Sequence, residues 1–197
     1  MSGIDVRVPE GPADRLERLH GRLEAATTDA GALDVHYRTV PSPVGELLVA
    51  ATDAGVVRVA FEREGADAVL QDLADRVGPR ILRTPARLDD VARRLDAYFA
   101  GTAHDLDVPL DLRLARGFRR QVLETLRGVG YGATVSYAAL AARSGNAAAV
   151  RATGTACATN PLPLLIPCHR VVRSDGTIGA YLGGTDAKRR LLALEAA

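Results

Sequence analysis

Three prolines, Pro161, Pro163 and Pro167, stiffen an otherwise apolar run, Asn160-Pro161-Leu162-Pro163-Leu164-Leu165-Ile166-Pro167, that delivers the chain to Cys168-His169-Arg170-Val171. Each proline ring fixes φ near about −65° and pushes the residue before it toward extended geometry. Residues 160–167 are therefore predicted as a strand or taut loop, with the Cys168 thiol held beside an imidazole on a rigid strand. A thiol attacks only as thiolate, and its free pKa of about 8.5 leaves it mostly protonated at neutral pH unless a base or a positive charge helps. His169 is the nearest base in sequence. Neighbours on a strand point to opposite faces, so the pair needs a turn at His169 or a bridging water to communicate. Taken alone, the two residues fit a buried apolar cysteine and a satisfied core histidine equally well.

The chain has 197 residues, 47% of them apolar, enough for a substantial core in one large or two small domains. No apolar run approaches the roughly 20 residues needed to span a bilayer, and residues 1–30 hold no signal-peptide core, which predicts a soluble protein of the cytoplasm. The cysteines Cys157 and Cys168 are too few for a structural zinc cluster, and Cys157 falls in a predicted helix, so no secreted disulfide framework is expected. A net charge of +1 hides a division: residues 1–112 hold 13 Arg against 20 Asp and Glu, net −7, whereas residues 113–197 hold 12 Lys and Arg against 4 acids, net +8. The basic half also carries the thiol. Such asymmetry points to a polyanion, nucleic acid first, although it serves solubility or contact between the halves equally well.

Residues 1–34 are predicted as an N-terminal extension, with Leu16, Leu19 and Leu23 on one helical stripe over 14–26, between joints at Gly11-Pro12 and 27–31. Turn-bounded strands at 35–40, 47–51 and 56–61 read as an antiparallel meander. Amphipathic helices follow at 66–77 and 86–100, the second placing Leu88, Val91, Leu95 and Tyr98 on its apolar stripe. His20, His36 and His104 stand singly, without metal-ligand spacing. The polar stretch 105–111 reads as a connector, which sets one α/β domain over 35–111 and a second domain over 112–197.

In the second domain, residues 115–128 form a helix with Phe118, Val122, Leu123 and Leu126 inward and Arg116, Arg119, Arg120 and Arg127 outward. A helix-turn-helix follows: Ser136 caps a helix over 137–143, Ser144-Gly145-Asn146 supplies the turn, and a second helix runs over 147–158. Almost every residue of that second helix is small, with Arg151 its one long side chain, which suits close approach to a narrow groove and tight helix packing alike. It offers almost no Arg, Asn or Gln to base edges, so minor-groove, largely sequence-independent binding is expected. Lys188-Arg189-Arg190 on the last helix reads as a solvated basic face.

Pro167-Cys168-His169-Arg170-Val171, with Asn160-Pro161 upstream, Tyr181 and Gly183-Gly184 downstream, Tyr131-Gly132, Val135-Ser136-Tyr137, and residues 148–154 around Arg151, form one ordered set over about residues 115–195. In order and spacing this set resembles the O6-alkylguanine-DNA alkyltransferases, the methylated-DNA–protein-cysteine methyltransferases. The resemblance implies an α/β (α+β) fold: a small antiparallel-sheet domain with helices, then a mostly helical DNA-binding domain. It also implies direct-reversal repair by a monomer on double-stranded DNA bearing O6-alkylguanine, without cofactor or metal. The damaged base leaves the stack at a cost of a few kcal/mol, and Cys168 takes its alkyl group irreversibly.

By their match to the family's motifs, His169 is the base, acting through water, Glu195 orients the imidazolium, and Asn160 supports the turn holding the thiol. Arg151 is the finger that enters the vacated stack, and Tyr137 presses on the 3′ phosphate or donates to the purine ring. Tyr181 and the loop from Gly179 to Gly184, Gly183 included, wall the pocket, where glycine lets backbone amides approach the base, and Val171 offers backbone hydrogen bonds to the Watson-Crick edge. The chain departs from the pattern at Leu182, where some relatives place a serine that bonds to O6; only a backbone N–H is offered there, which bears on adduct size. Residues 1–33 lack the four cysteines of the metal-binding module that some family members carry. Two other readings stay open: a Cys168–His169 hydrolase, for which the sequence offers no oxyanion site, and a DNA-binding sensor without chemistry, against which the presence of Cys168 weighs.

Overall fold

The computed structural model describes Gly11, Arg15, Leu16, Arg18, Leu19, Gly21, Arg22 and residues 32–196. Of the helix expected over 14–26, the described residues from Arg15 to Arg22 are helical, and Leu16 and Leu19 are exposed. The rest of that helix, Leu23 included, and the joints at Pro12 and 27–31 lie outside the described residues.

From Asp34 onward the chain is one compact unit. The expected meander forms: β1 (Val35–Val40) pairs antiparallel with β2 (Leu47–Thr52), and β2 with β3 (Gly55–Phe61). A fourth strand, β4 (Ile81–Arg83), joins parallel to β1 and gives the order β3-β2-β1-β4. All six residues of β2 are buried, because both faces of the sheet are covered. Leu48 and Ala50 join a cluster with Val69 and Leu73 of α1 (Ala66–Arg76), while Leu47, Val49 and Ala51 join a larger one with Leu95 and Tyr98 of α2 (Asp89–Phe99). The β2–β3 register jumps from Ala50↔Arg58 to Ala51↔Val56, so Val57 is an extra residue and the inward faces change over there. The helix expected over 86–100 is split, since Pro85–Leu88 makes a 3-10 turn and α2 begins at Asp89, whose carboxylate and that of Asp90 suit a helix N-terminus.

The larger cluster continues into Val122, Leu123 and Leu126 of α3 (Gly117–Leu126), Leu140 of α4 (Tyr137–Arg143), Ala156 and Cys157 of α5 (Val150–Ala158), and Ala187 and Leu191 of α6 (Thr185–Glu195). Sheet and helices thus share a core, which fixes residues of the two halves against each other. Ser136 caps α4 as expected, its hydroxyl accepting from the Ala139 N–H at 3.1 Å. The next helix starts at Val150 rather than 147: Asn146 accepts from Ala148 N–H through its side chain at 3.2 Å and from Ala149 N–H through its carbonyl at 3.0 Å, and the resulting turn delays the helix. Two short strands, β5 (Val135–Ser136) and β6 (Val171–Val172), pair in parallel with Val135 beside Val171. That ladder ties the chain leaving the thiol to the chain entering α4. No described helix is long and apolar enough to cross a membrane.

Candidate active site

The proline-rich run arrives as a taut loop, and the strand expected at Cys168 is a turn. Ile166 N–H returns to the Leu162 carbonyl at 2.8 Å, across a bend in which Leu164 has φ +73°, the one positive φ among described residues other than glycine. The cause is packing: Leu162, Leu164, Leu165 and Ile166 are all buried in the main cluster, which outweighs the strained backbone at Leu164. Cys168–Arg170 then forms one 3-10 turn, started by Pro167. The turn supplies the change of direction that a strand would have denied to Cys168 and His169.

Asn160 is fully buried and spans this loop. Its Oδ1 accepts from Leu162 N–H at 3.0 Å, and its Nδ2 donates to the Ile166 carbonyl at 2.9 Å and to Cys168 Sγ at 3.2 Å. Cys168 as a whole is only 3% exposed. Burial pushes the Cys168 thiol up to about 11, while the Asn160 amide and the Lys188 ammonium pull the other way.

Glu195, the last residue of α6, gathers donors from several segments. His169 Nε2 lies 2.8 Å from Oε1, Arg170 bonds both oxygens at 2.8 and 2.9 Å, Tyr98 Oη donates to Oε1 at 2.7 Å, and Gly132 N–H reaches Oε2 at 3.2 Å. Gly132 has φ +71°, and a Cβ there would stand 2.8 Å from the Glu195 carbonyl oxygen, so only glycine brings this amide in. Burial alone would raise the Glu195 carboxyl, but the bonds from His169, Arg170 and Tyr98 outweigh it and hold the group well below the usual carboxylate range. An ionised carboxylate only accepts, so His169 Nε2 carries the hydrogen and neutral His169 presents Nδ1 as a bare acceptor. Nδ1 is buried and bonded to nothing among the described residues. Burial lowers the His169 pKa, helped by the positive charges of Arg170 and Lys188 and opposed by Glu195, so the imidazole rests neutral.

Of the remaining expected residues, Tyr181 packs directly on this centre. Tyr181 is buried, edge-on to His169 at 6.3 Å and to Phe61 of β3 at 5.5 Å. Gly183 lies so close to the Phe61 ring that a Cβ would meet it at 2.7 Å, and Leu182 is half-buried against the core. Tyr137 is half-buried at the start of α4, with its hydroxyl against Gly179. Arg151 stands exposed in the first turn of α5, its carbonyl accepting from the Thr155 hydroxyl at 3.2 Å and its guanidinium free of hydrogen bonds and ion pairs among the described residues. The Val171 carbonyl is taken by Lys188 Nζ at 2.5 Å. Lys188 corrects the solvated-face reading, because it is fully buried while Arg189 and Arg190 are exposed. Its spacing to Leu191 and Glu195 along α6 was the available sign of an inward face. Tyr98 and Arg170 are further members of the centre that the sequence did not single out. Among the described residues, no group of three or more His, Cys, Asp or Glu is placed to hold a metal ion.

Comparison with known proteins matches both halves of the chain. Residues 35–112 match the ribonuclease-like domain and residues 117–197 the DNA binding domain of 6-O-methylguanine DNA methyltransferase. A methylated-DNA–protein-cysteine methyltransferase of Mycolicibacterium paratuberculosis is 36% identical over 161 residues, 82% of this chain and 92% of the relative. The mouse protein of the same name is 51% identical over 108 residues, 51% of each chain. The crystal structure of the Mycobacterium tuberculosis O6-methylguanine methyltransferase superposes with a TM-score of 0.71 at 34% identity, covering 82% of this chain and 93% of that one, and the M. tuberculosis protein has also been solved in complex with DNA. With both halves matched in order and the fold shared, the chain belongs to the 6-O-methylguanine DNA methyltransferase family.

Proposed function

We propose that this protein repairs DNA by direct reversal, moving the alkyl group of O6-alkylguanine onto Cys168 Sγ in one irreversible step. The observation that carries the reading is the ordered set Cys168, His169, Glu195, in which a neutral imidazole with a bare Nδ1 shares one 3-10 turn with a buried thiol. The relatives' names supply the reaction class, methyl transfer from DNA to a protein cysteine.

The steps follow from the residues. A water between Cys168 Sγ and His169 Nδ1 carries the thiol proton to the imidazole, and Glu195 balances the imidazolium that results. Asn160 Nδ2 and the Lys188 ammonium stabilise the thiolate as its charge appears. The thiolate attacks the sp3 carbon in line; the C–O6 bond breaks as the C–S bond forms, and the leaving guanine anion takes up a proton from water at its ring. The product is a thioether, which His169 has no means to hydrolyse, so each molecule acts once.

The thiol of a residue that is 3% exposed cannot reach into a stacked duplex, and the base must swing out to it. In this reading α5 enters the minor groove with small residues, Arg151 fills the gap in the stack, and contacts are largely independent of sequence. Tyr137 meets the 3′ phosphate or the purine, while Tyr181, Leu182, Gly183 and the Val171 backbone enclose the base. Residues 35–111 act as the supporting domain and 112–197 as the DNA-binding and transfer domain of a cytoplasmic monomer. The test counts lesions removed per protein from a duplex in excess. One per molecule, abolished by Cys168→Ala, is expected; many per molecule indicates a hydrolase, and none a sensor.

A further inference from the structure

We propose that Tyr98, supplied by the sheet half of the molecule, is a positioning residue for this transfer, setting how strongly Glu195 holds the His169 imidazole. The proposal rests on the roles of Cys168 and His169 given above. Tyr98 lies on α2, 97 residues from Glu195 in sequence, yet its hydroxyl donates at 2.7 Å to Oε1, the oxygen that faces His169 Nε2 at 2.8 Å and Arg170 at 2.9 Å. Three donors therefore compete for one oxygen.

The hydroxyl is aimed by packing. Tyr98 is 1% exposed, and its ring meets Phe99 edge-on at 5.3 Å and Tyr131 edge-on at 6.1 Å. Tyr131 is itself held, stacked on His104 at 4.2 Å and bonded to the Leu194 carbonyl at 3.1 Å, one residue before Glu195. A phenylalanine would fill the same core site with the same ring, so packing alone does not require the oxygen. What the oxygen adds is a neutral dipole on a carboxylate that already has Arg170 and Gly132 as donors. Each donor on Oε1 drains charge from it and weakens its pull on the Nε2–H of His169. Removing the hydroxyl concentrates that charge on the imidazole, which becomes more basic and loses one of its constraints.

The charged and titratable groups facing this set are Cys168 and Arg170 from the 3-10 turn, Lys188 from α6, Glu64 from the 3-10 turn after β3, and Tyr131, with His104 stacked on it, and Tyr181 from the loops. All are unchanged in a Tyr98 variant. No proton passes to Tyr98 or Glu195 in the transfer; the proton leaving Sγ stops at Nδ1.

The experiment is single-turnover alkyl transfer from an O6-methylguanine duplex, followed from about pH 5 to 9, for wild type, Tyr98→Phe, and protein carrying 2,3-difluorotyrosine at position 98. The acid limb, where His169 becomes protonated, is expected to move up by about half a pH unit in Tyr98→Phe and down in the fluorinated protein, whose phenol is the stronger donor. A packing defect would lower the rate and the thermal midpoint without displacing the limb. Should Tyr98→Phe fail to fold, the fluorinated protein, which keeps ring and hydroxyl, decides. A reactive wild type whose limb coincides with those of the substituted proteins overturns this inference alone; an unreactive wild type overturns the function on which it rests.

Discussion

The side-chain amide of Asn160 stands 3.2 Å from the sulfur of Cys168 and at the same time closes the loop that carries it, through Leu162 N–H and the Ile166 carbonyl. One residue therefore sets both the place of the nucleophile and part of its electrostatics. Asn160→Ala leaves a buried N–H and a buried carbonyl without their partner, at a cost of about 1–3 kcal/mol in stability. Losing the donor to the thiolate slows transfer as well, by about 10- to 100-fold. Chemical denaturation and single-turnover rates measure the two separately; a stable variant with the wild-type rate contradicts this role.

Lys188 places a buried ammonium near the same sulfur, favouring its thiolate, and donates to the Val171 carbonyl. Lys188→Met removes the charge while keeping the length of the side chain. The apparent pKa of Cys168, read from the pH dependence of its reaction with iodoacetamide, is expected to rise, and the transfer rate at neutral pH to fall. An unchanged pKa means that the charge is not felt at the sulfur.

His169 makes stability depend on pH in a definite direction. Burial lowers its folded pKa below the ordinary 6.5, so the unfolded chain takes up the proton first as pH falls. This contribution is fully present above about pH 6.5 and is lost progressively below it; His36, whose pKa is also lowered by burial, acts in the same sense. Glu195, held low, adds a further loss once the pH falls below its unfolded value of 4.5. Thermal midpoints should therefore fall from about pH 7 to 5, and fall less steeply in His169→Gln. Equal slopes for the variant and wild type contradict a neutral buried imidazole.

Much of this architecture was legible because it is periodic. The alternation of β1 to β3 and the stripe of α2 follow from apolar spacing, and Ser136 is a cap by residue type. What escaped depends on contacts distant in sequence. The three-residue β4 has too little pattern of its own and exists through β1. The prolines suggested an extended path at 160–167, but burial of four apolar side chains folded it back at Leu164. Lys188 looked solvated beside Arg189 and Arg190, although it shares a helix face with Leu191 and Glu195. Tyr98 was readable as core, and a buried tyrosine hydroxyl usually has a partner; which partner could not be told across 97 residues.

Arg151 stands clear of the site, exposed on α5, and its proposed part is to hold the stack open while the base is out. Arg151→Ala should slow transfer from duplex DNA by about tenfold or more and leave the reaction with free O6-alkylguanine base nearly unchanged, since only the duplex must release its base. Parallel rate measurements on the two substrates test this, and equal losses rule out the finger role.

The most direct measurement is the intact mass of the protein after incubation with a duplex holding one O6-methylguanine, followed by peptide mapping. The account predicts the mass gain of a single methyl group in place of hydrogen, located on Cys168, with unmodified guanine left in the DNA and no reaction in Cys168→Ala. Repaired DNA with unmodified protein, or a methyl group on any other residue, would contradict it.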